Sequence, residues 1–252
     1  MQKKFSIFIT GASSGIGKAL AISYANPQNR LFLCGRNKER LYDVAATCKE
    51  LGAEVYTYLF DVTDAFAAQE SVLNAESVAP IDLLIANAGI SGGVLGEAEG
   101  NAQTRQVLNT NVFGVANTVL PLLDRMRARK TGQIAIISSI AGYRGLPSAP
   151  AYSASKACVK AWGEALRGWL KADNIKVNVV CPGFIKTPLT DVNVFKMPFL
   201  MQPEKAAKII QKGIRKNKPI IAFPLPMAFG AWFMSAMPAC IIHPLLRHLP
   251  KK

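Results

Sequence analysis

The feature that most constrains the fold is a regular alternation of short apolar segments with longer segments of helical spacing. Several apolar segments are hydrophobic at nearly every position, which is typical of parallel strands covered on both faces. The segments expected to be strands are FSIFIT, RLFLCG, EVYTYLF, IDLLIAN, QIAIISS, IKVNVVC and PIIAF. The helical segments are 38–51, 65–78, 104–129, 154–170 and 204–216. The pattern predicts an α/β fold: a doubly wound, Rossmann-type, seven-stranded parallel sheet with helices on both faces.

No internal repeat or low-complexity linker divides the chain. Its 252 residues, half of them apolar, lie within the range of one α/β domain with one large core. We therefore predict one catalytic domain over residues 1–226. Residues 227–252 are expected to form an apolar C-terminal tail that is not an independent domain.

Cysteine and histidine are placed unfavourably for metal binding or for a histidine-based triad. The five cysteines are scattered without a C-x-x-C pair, and both histidines lie near the C-terminus. This pattern favours free thiols in a reducing compartment, and no metal site is expected. The basic N-terminus runs into a glycine loop without a cleavage site, so it predicts a first strand and not a signal peptide. We expect a cytoplasmic protein.

The net charge of +14 indicates an anionic partner, such as a nucleotide phosphate or a membrane surface. Much of the charge lies in 125–130 and 205–218, where it suits solvated helix ends and faces. No basic stripe with interleaved aromatic residues and no nucleic-acid motif is present. We therefore expect no nucleic-acid partner.

A glycine-rich loop, TGASSGIG at residues 10–17, follows the first strand directly and precedes a helix. Gly11 would permit the turn, Gly15 would let a pyrophosphate approach the backbone, and Gly17 would allow close packing of the helix. The N-terminus of that helix would face the phosphates with free N–H groups and a positive dipole end. This position between strand and helix predicts a dinucleotide-binding domain.

The end of the second strand indicates which dinucleotide is bound. Gly35, Arg36 and Asn37 stand where an NAD site would carry a carboxylate, and the first acidic residue is Glu39. A guanidinium there suits a 2′-phosphate, which an aspartate would repel. NADP(H) is therefore favoured over NAD(H). The alternative is that Arg36 is a surface residue at a helix start.

The segment YSASK places Tyr152 and Lys156 one turn apart on the same helix face. They form either a surface pair or an activated phenol. A cation about 4 Å away, at an effective dielectric of about 20, stabilises a phenolate by about 4 kcal/mol. That would lower the tyrosine pKa from about 10 to about 7, an upper bound because desolvation opposes it. The second alternative predicts a proton donor that works at neutral pH.

Taken together, the motifs resemble the classical short-chain dehydrogenases/reductases over roughly residues 4–223. The resemblance is carried, in the family's order, by TGASSGIG, FDVTD, ANAG, NTNVFG, IISSIAG, YSASK and CPGFIKTP. One departure is Ala86, where the family often has an asparagine. The resemblance implies hydride transfer between a nicotinamide dinucleotide and a carbonyl/alcohol pair.

The resemblance also implies the site residues. The catalytic residues are Asn111, Ser139, Tyr152 and Lys156. Ser139 is preferred to Ser138 because the family places its serine thirteen positions before the tyrosine. Asn111 would support a water that returns the proton. The cofactor-binding residues are Gly11, Ser13, Ser14, Gly15, Ile16, Gly17, Arg36, Asp61, Val62, Asn87, Ala88, Gly89, Tyr152, Lys156, Pro182, Gly183, Ile185 and Thr187.

The tail and the segment before it bear on substrate and partners. Residues 219–244 contain no Asp, Glu, Lys or Arg, but Pro224, Pro226, Pro238 and Pro244 interrupt the run, so a clean transmembrane helix is not expected. The tail closes over an apolar substrate, contacts a second subunit in a homo-oligomer, or makes a peripheral membrane contact at the inner face of a membrane. The largely apolar segment 190–202 lies where the family keeps its substrate lid, which favours an apolar or lipid-like small molecule. The alternatives to an enzyme are a non-enzymatic dinucleotide sensor and a membrane-associated scaffold.

Overall fold

In the computed structural model, which describes residues 4–92, 99–190 and 197–246, the predicted doubly wound parallel sheet is confirmed. Seven described strands form one sheet in the order β3-β2-β1-β4-β5-β6-β7, and every neighbouring pair is parallel. The strands are β1 Phe5–Ile9, β2 Asn29–Gly35, β3 Glu54–Leu59, β4 Leu83–Ala86, β5 Gly132–Ile137, β6 Ile175–Pro182 and β7 Ile220–Phe223. All seven lie where the apolar segments predicted them.

The helices run between the strands and cover both faces of the sheet. They are α1 Gly15–Tyr24, α2 Lys38–Glu50, α3 Ala65–Val78, α4 Asn101–Leu108, α5 Gly114–Arg129, α6 Pro150–Trp169, α7 Pro203–Arg215, α8 Leu225–Ala236 and α9 Ala239–Leu246. A π-helical turn, Asn109–Phe113, joins α4 to α5, and short 3-10 turns occupy Ile140–Gly142 and Leu170–Asp173. The long helix predicted for 104–129 is therefore two α-helices with a π turn between them. Helix α6 begins before the predicted residue 154 because Pro150, whose missing N–H costs nothing in the first turn, starts it.

The core lies on both faces of the sheet, as the near-continuous apolar strands require. Ile7 and Ile9 of β1 point into one buried cluster and Phe8 points into the other, and all three are fully buried. The same alternation continues in β4, whose Leu84 pairs with Phe8 across the parallel ladder. The central strands are thus rigid supports for whatever follows their carboxyl ends.

The strand order reverses between β1 and β4, and the crevice at that point is held by Thr10. Its Oγ1 accepts hydrogen bonds from the backbone N–H groups of Asn87 and Ala88, both at 3.0 Å. The Asn87 side chain donates back to the Thr10 carbonyl at 2.9 Å. Ligands of open α/β sheets bind at such a reversal. The two loops that would carry the ligand are therefore fixed to each other.

The C-terminal tail folds back as α8 and α9, and α8 contacts β7 and the 3-10 turn Ile140–Gly142. The boundary predicted between residues 226 and 227 falls inside α8. Within the described part of the chain, every helix is too short or too polar to span a bilayer. Arg247, Lys251 and Lys252, and the 191–196 part of the expected substrate lid, lie outside the described residues.

The packing of α1 against the glycine loop generates a first prediction. A Cβ at Gly17 would fall on the carbonyl oxygen of Gly11 and lie 2.6 Å from Asn87 Nδ2. Because backbone must move, we expect Gly17→Ala to lower the free energy of unfolding by about 1–3 kcal/mol, measured by urea denaturation. Gly168→Ala is the control, since a Cβ at this exposed helical position meets nothing within 4 Å. It should stabilise by about 0.5 kcal/mol. A neutral Gly17→Ala would contradict the close packing.

Candidate active site

A cavity of about 870 Å³ opens at the carboxyl ends of the central strands. It brings together residues that are far apart in the sequence. The predicted site residues that line it are Gly11, Ser13, Ser14, Gly15, Ile16, Arg36, Asp61, Val62, Asn87, Ala88, Gly89, Ser139, Tyr152, Lys156, Pro182, Gly183, Ile185 and Thr187. Gly17 and Asn111 are absent from its lining, and both support residues that line it.

The glycine turn has the backbone that a phosphate cradle requires. Gly11 and Gly15 have φ of +64° and +54°, the left-handed region that favours glycine. Gly17 does not face the cavity; it packs against the Gly11 carbonyl, as its predicted role in helix packing requires. Ser14 is the N-cap residue of α1, but its side chain makes no capping hydrogen bond. The positive end of α1 therefore faces the cavity without a side-chain cap over it.

Two guanidinium groups lie at the end of β2. Arg36 Nη1 pairs with Asp61 Oδ2 at 3.0 Å, so the two predicted cofactor residues contact each other. Burial alone would raise the pKa of Asp61, but hydrogen bonds from Thr63 and Arg36 together lower it. Arg40, which the sequence analysis did not single out, also lines the cavity. Its backbone N–H is capped by Asn37 Oδ1 at 2.9 Å, which fixes the first turn of α2.

Ser138 and Ser139 follow β5 and have different surroundings. Ser138 Oγ donates to the carbonyl of Lys156 at 2.7 Å and so binds α6 to the end of the sheet. Ser139 lines the cavity, and its Oγ accepts from Ala141 N at 3.1 Å and donates to Pro182 O at 3.4 Å. Both serines line the cavity, but the Ser138 hydroxyl is used to hold the helix that carries Tyr152, whereas Ser139, which the family resemblance favours, hydrogen-bonds Tyr152.

Lys156 and Tyr152 lie on one face of α6, as their spacing predicts. Lys156 is buried, with 4% of its surface exposed, and its Nζ donates to Ile137 O at 3.0 Å. The same Nζ lies 5.8 Å from the centroid of the Tyr152 ring. Burial lowers the pKa of Lys156 from 10.5 to about 8, so the amine remains mostly charged at neutral pH.

The expected fall of the Tyr152 pKa toward 7 is wrong for this structure. Burial raises the pKa of Tyr152, and a hydrogen bond with Ser139 lowers it only in part. The physical reason is that desolvation of the phenolate outweighs the hydrogen bond with Ser139, while the Lys156 ammonium donates to the carbonyl of Ile137. The hydroxyl groups of Ser139 and Tyr152 nevertheless meet in the cavity.

Asn111 lies in the π turn and is fully buried. Its Oδ1 accepts from Ile90 N at 2.8 Å, and its Nδ2 donates to Ile90 O and to Ser155 Oγ at 2.9 and 3.0 Å. Both side-chain N–H groups are therefore used within the protein. A Cβ on Gly89 would lie 3.0 Å from Asn111 Oδ1 and 3.3 Å from Lys156 Nζ. The side chain therefore positions the segment after β4. Support of a water by Asn111 stays a prediction, and it would have to involve atoms other than these side-chain N–H groups.

The far end of the cavity is mostly apolar and is closed in part by α8. Four residues of α8 at helical spacing line it, namely Met227, Gly230, Ala231 and Met234. Leu146, Phe184 and Leu189 add apolar surface from other segments. This inner face favours the first of the three expectations for the tail, a cover over the substrate. Sequence spacing could not distinguish it, because α8 is apolar on its outer face as well.

Comparison with known proteins agrees with this geometry. A family model described as short chain dehydrogenase matches residues 6–196. An uncharacterised oxidoreductase of Myxococcus xanthus is 36% identical over 243 residues, which cover 96% of each chain. The 3-oxoacyl-[acyl-carrier-protein] reductase FabG of Thermotoga maritima is 35% identical over 188 residues, covering 73% of this chain and 75% of that protein.

Among solved structures, a variant of actinorhodin polyketide ketoreductase with NADPH superposes with a TM-score of 0.80 at 27% identity. The match covers 90% of this chain and 98% of the ketoreductase. The family model covers both the glycine turn and the Ser139–Tyr152–Lys156 region. The chain therefore belongs to the short-chain dehydrogenase/reductase family of oxidoreductases, which act on carbonyl/alcohol pairs.

Proposed function

We propose that this protein is an NADP(H)-dependent reductase or dehydrogenase of a carbonyl/alcohol pair on an apolar or lipid-like molecule. The single observation that carries the proposal is the shared cavity. It joins a glycine turn and two arginines at one end to the hydrogen-bonded Ser139 and Tyr152 beside a buried Lys156. A non-enzymatic sensor would need the first half of this arrangement but not the second.

The residues present suit a nicotinamide dinucleotide phosphate. The left-handed Gly11 and Gly15 let a pyrophosphate approach the backbone beside the start of α1. Arg36 and Arg40 would hold a 2′-phosphate, with Arg36 released in part from Asp61. The ketoreductase structure that contains NADPH supports this choice. NAD(H) is the alternative that the cofactor experiment below tests.

When bound, the nicotinamide supplies or accepts the hydride. In the reducing direction Tyr152 donates its proton to the developing alkoxide, and in the oxidising direction its phenolate accepts one. Ser139 hydrogen-bonds the same oxygen and keeps it within reach of the phenol. Lys156 holds a positive charge beside the ring at pH values below about 8. Asn111 fixes the wall behind these groups.

The substrate class is inferred from the apolar end of the cavity and from the relatives. Met227 and Met234 of α8, with Leu146 and Leu189, would contact an acyl or other hydrocarbon portion. Two of the relatives are named as reductases of 3-oxoacyl and polyketide ketoacyl groups. Those names support a ketone on a long apolar molecule.

The outer face of α8 bears on partners. Leu225, Phe229, Trp232 and Phe233 are each more than half exposed, and the rings of Phe229 and Trp232 lie 5.8 Å apart. An aromatic apolar face of this kind suits a membrane interface or a second subunit. Peripheral membrane contact through 227–252 and a homo-oligomer both stay predictions.

Removal of the Tyr152 hydroxyl tests the reaction. We expect Tyr152→Phe to lower kcat by about a hundredfold or more for an apolar ketone while the NADPH dissociation constant changes little, because only proton donation is lost. Tyr143→Phe is the matched control, since that hydroxyl hydrogen-bonds Cys181 and does not line the cavity. Unchanged turnover in Tyr152→Phe would remove the proposed mechanism.

Charge reversal at Arg36 tests the cofactor. Arg36→Asp should lower kcat/KM for NADPH about tenfold to a hundredfold and shift the preference toward NADH, because a carboxylate repels the 2′-phosphate. Lys38→Asp makes the same charge change two positions further along, at the first residue of α2 and outside the cavity lining. Equal effects of the two substitutions on NADPH would discredit the phosphate assignment.

The buried charge of Lys156 predicts a pH-dependent stability difference. Its pKa of about 8 in the folded chain lies below the usual 10.5, so the unfolded chain binds more protons between these values. Burying the charged amine therefore lowers the free energy of unfolding by at most about 3 kcal/mol. This loss is fully present below pH 8 and disappears as the pH rises toward 10.5. Lys156→Met should therefore be inactive yet more stable at pH 7, with a stability advantage that shrinks at high pH. Urea denaturation of both proteins from pH 7 to 10 measures this; a pH-independent difference would contradict it.

A further inference from the structure

We propose that Arg144 is an anion-binding subsite for the substrate, so that the molecule reduced carries a carboxylate or phosphate besides its carbonyl group and apolar portion. The inference rests on the proposed function and narrows its substrate class. It comes from three observations: the position of Arg144 in the cavity, the lack of a countercharge among the described residues, and its contact with the end of α8.

Arg144 lies close in sequence to the reacting groups. It comes two residues after the 3-10 turn Ile140–Gly142, whose N-cap is Ser139. Its half-buried side chain lines the cavity together with Leu146 and Ser148. Arg36 and Arg40 lie instead at the end of β2, on the side of the glycine turn. Arg144 is therefore placed near the carbonyl end of the cavity.

Within the described part of the chain, the guanidinium of Arg144 takes part in none of the ion pairs. Within residues 4–92, 99–190 and 197–246, no carboxylate oxygen lies within 4.0 Å of it, whereas Arg30 and Arg127 pair with Glu54 and Asp173. Among the same residues, its guanidinium makes a long hydrogen bond, from Nη1 to Met237 O at 3.3 Å. A guanidinium carries five N–H donors in a fixed fork that matches a carboxylate or phosphate. A partly desolvated, unpaired charge is costly, and an anionic ligand would offset that cost.

The contact with α8 joins the anion subsite to the apolar wall. Met237 is the C-cap residue of α8, and Met234, one turn earlier, lines the cavity. The guanidinium thus lies beside the same helix that presents Met227 and Met234. A substrate with an acidic group at Arg144 and a hydrocarbon chain along α8 would satisfy both. Molecules with both features include an oxo-fatty acid and a phosphate monoester that carries an acyl chain.

The experiment compares acid and ester forms of one carbonyl compound. The full chain is assayed with NADPH on oxo-fatty acids in which the distance between keto and carboxyl groups increases stepwise, and on their methyl esters. For the best acid, Arg144→Gln should lower kcat/KM about tenfold to a hundredfold, while the ester changes less than about twofold. Arg144→Lys should keep part of the preference. Arg105→Gln removes the same charge from an exposed residue outside the cavity and should change neither.

Three outcomes would overturn the anion-binding subsite. If Arg144→Gln lowers acid and ester equally, Arg144 only anchors α8 through Met237, and the subsite is wrong. If it weakens only NADPH binding, measured by nucleotide fluorescence, the anion is a cofactor phosphate and the inference is wrong. It is also wrong if the wild-type chain treats acid and ester alike.

Calorimetric binding of acid and ester in the presence of NADP⁺ separates this inference from the proposed function. Absence of turnover with every ketone would contradict the reductase, while a binding preference for the acid that Arg144→Gln abolishes would still support the subsite. Equal binding of acid and ester by both proteins would overturn it.

Discussion

The hydrogen bond from Lys156 Nζ to the carbonyl of Ile137 is the interaction on which the site depends. It directs a buried ammonium from α6 to the end of β5, where Ser139 follows. Burying that charge is unfavourable, so the surroundings must hold it in place. The hydroxyl of Ser138 binds the carbonyl of Lys156, and Gly89 and Gly142 leave the room that a Cβ would fill near the Lys156 amine and carbonyl. The result is a charged group fixed beside a phenol before any ligand arrives.

Hydrogen bonds and close packing also fix the cofactor side of the cavity. Thr10 and Asn87 hold the loops after β1 and β4 together, and Gly17 lets α1 begin against the Gly11 carbonyl. Asn111 and Asn87 each hydrogen-bond a segment that is distant in the sequence. Asn111 joins the segment after β4 to α6, and Asn87 joins it to the glycine turn. Thr10 and Asn111, which do not line the cavity, thus fix residues that do, namely Asn87 and Ile90. This division explains how one apolar sheet can present a polar site at a single edge.

Much of this could be predicted from the sequence, because strand and helix periodicities are local. Helix α3 was predicted with the bounds it has, Ala65–Val78, and each strand overlaps its predicted segment, with β2, β5 and β6 extending one residue beyond it. What could not be predicted depends on distant neighbours. The raised pKa of Tyr152 reflects burial by surrounding segments, and the inward position of Asn111 needs the π turn. Arg144 follows no motif, and the inner face of α8 looks like its outer face in the sequence, so neither could be placed without the fold.

Burial makes the phenol of Tyr152 unfavourable to ionise, and we expect it to ionise more easily when an oxidised nicotinamide adds its positive charge to that of Lys156. The most direct test is the Tyr152 pKa, measured by NMR titration of protein with carbon-13 at the tyrosine Cζ, with Tyr152→Phe to assign the signal. We predict a pKa above the ordinary value of about 10 in the free protein and a clear fall in the presence of NADP⁺. The same pKa in both states, or a rise on binding, would contradict the account.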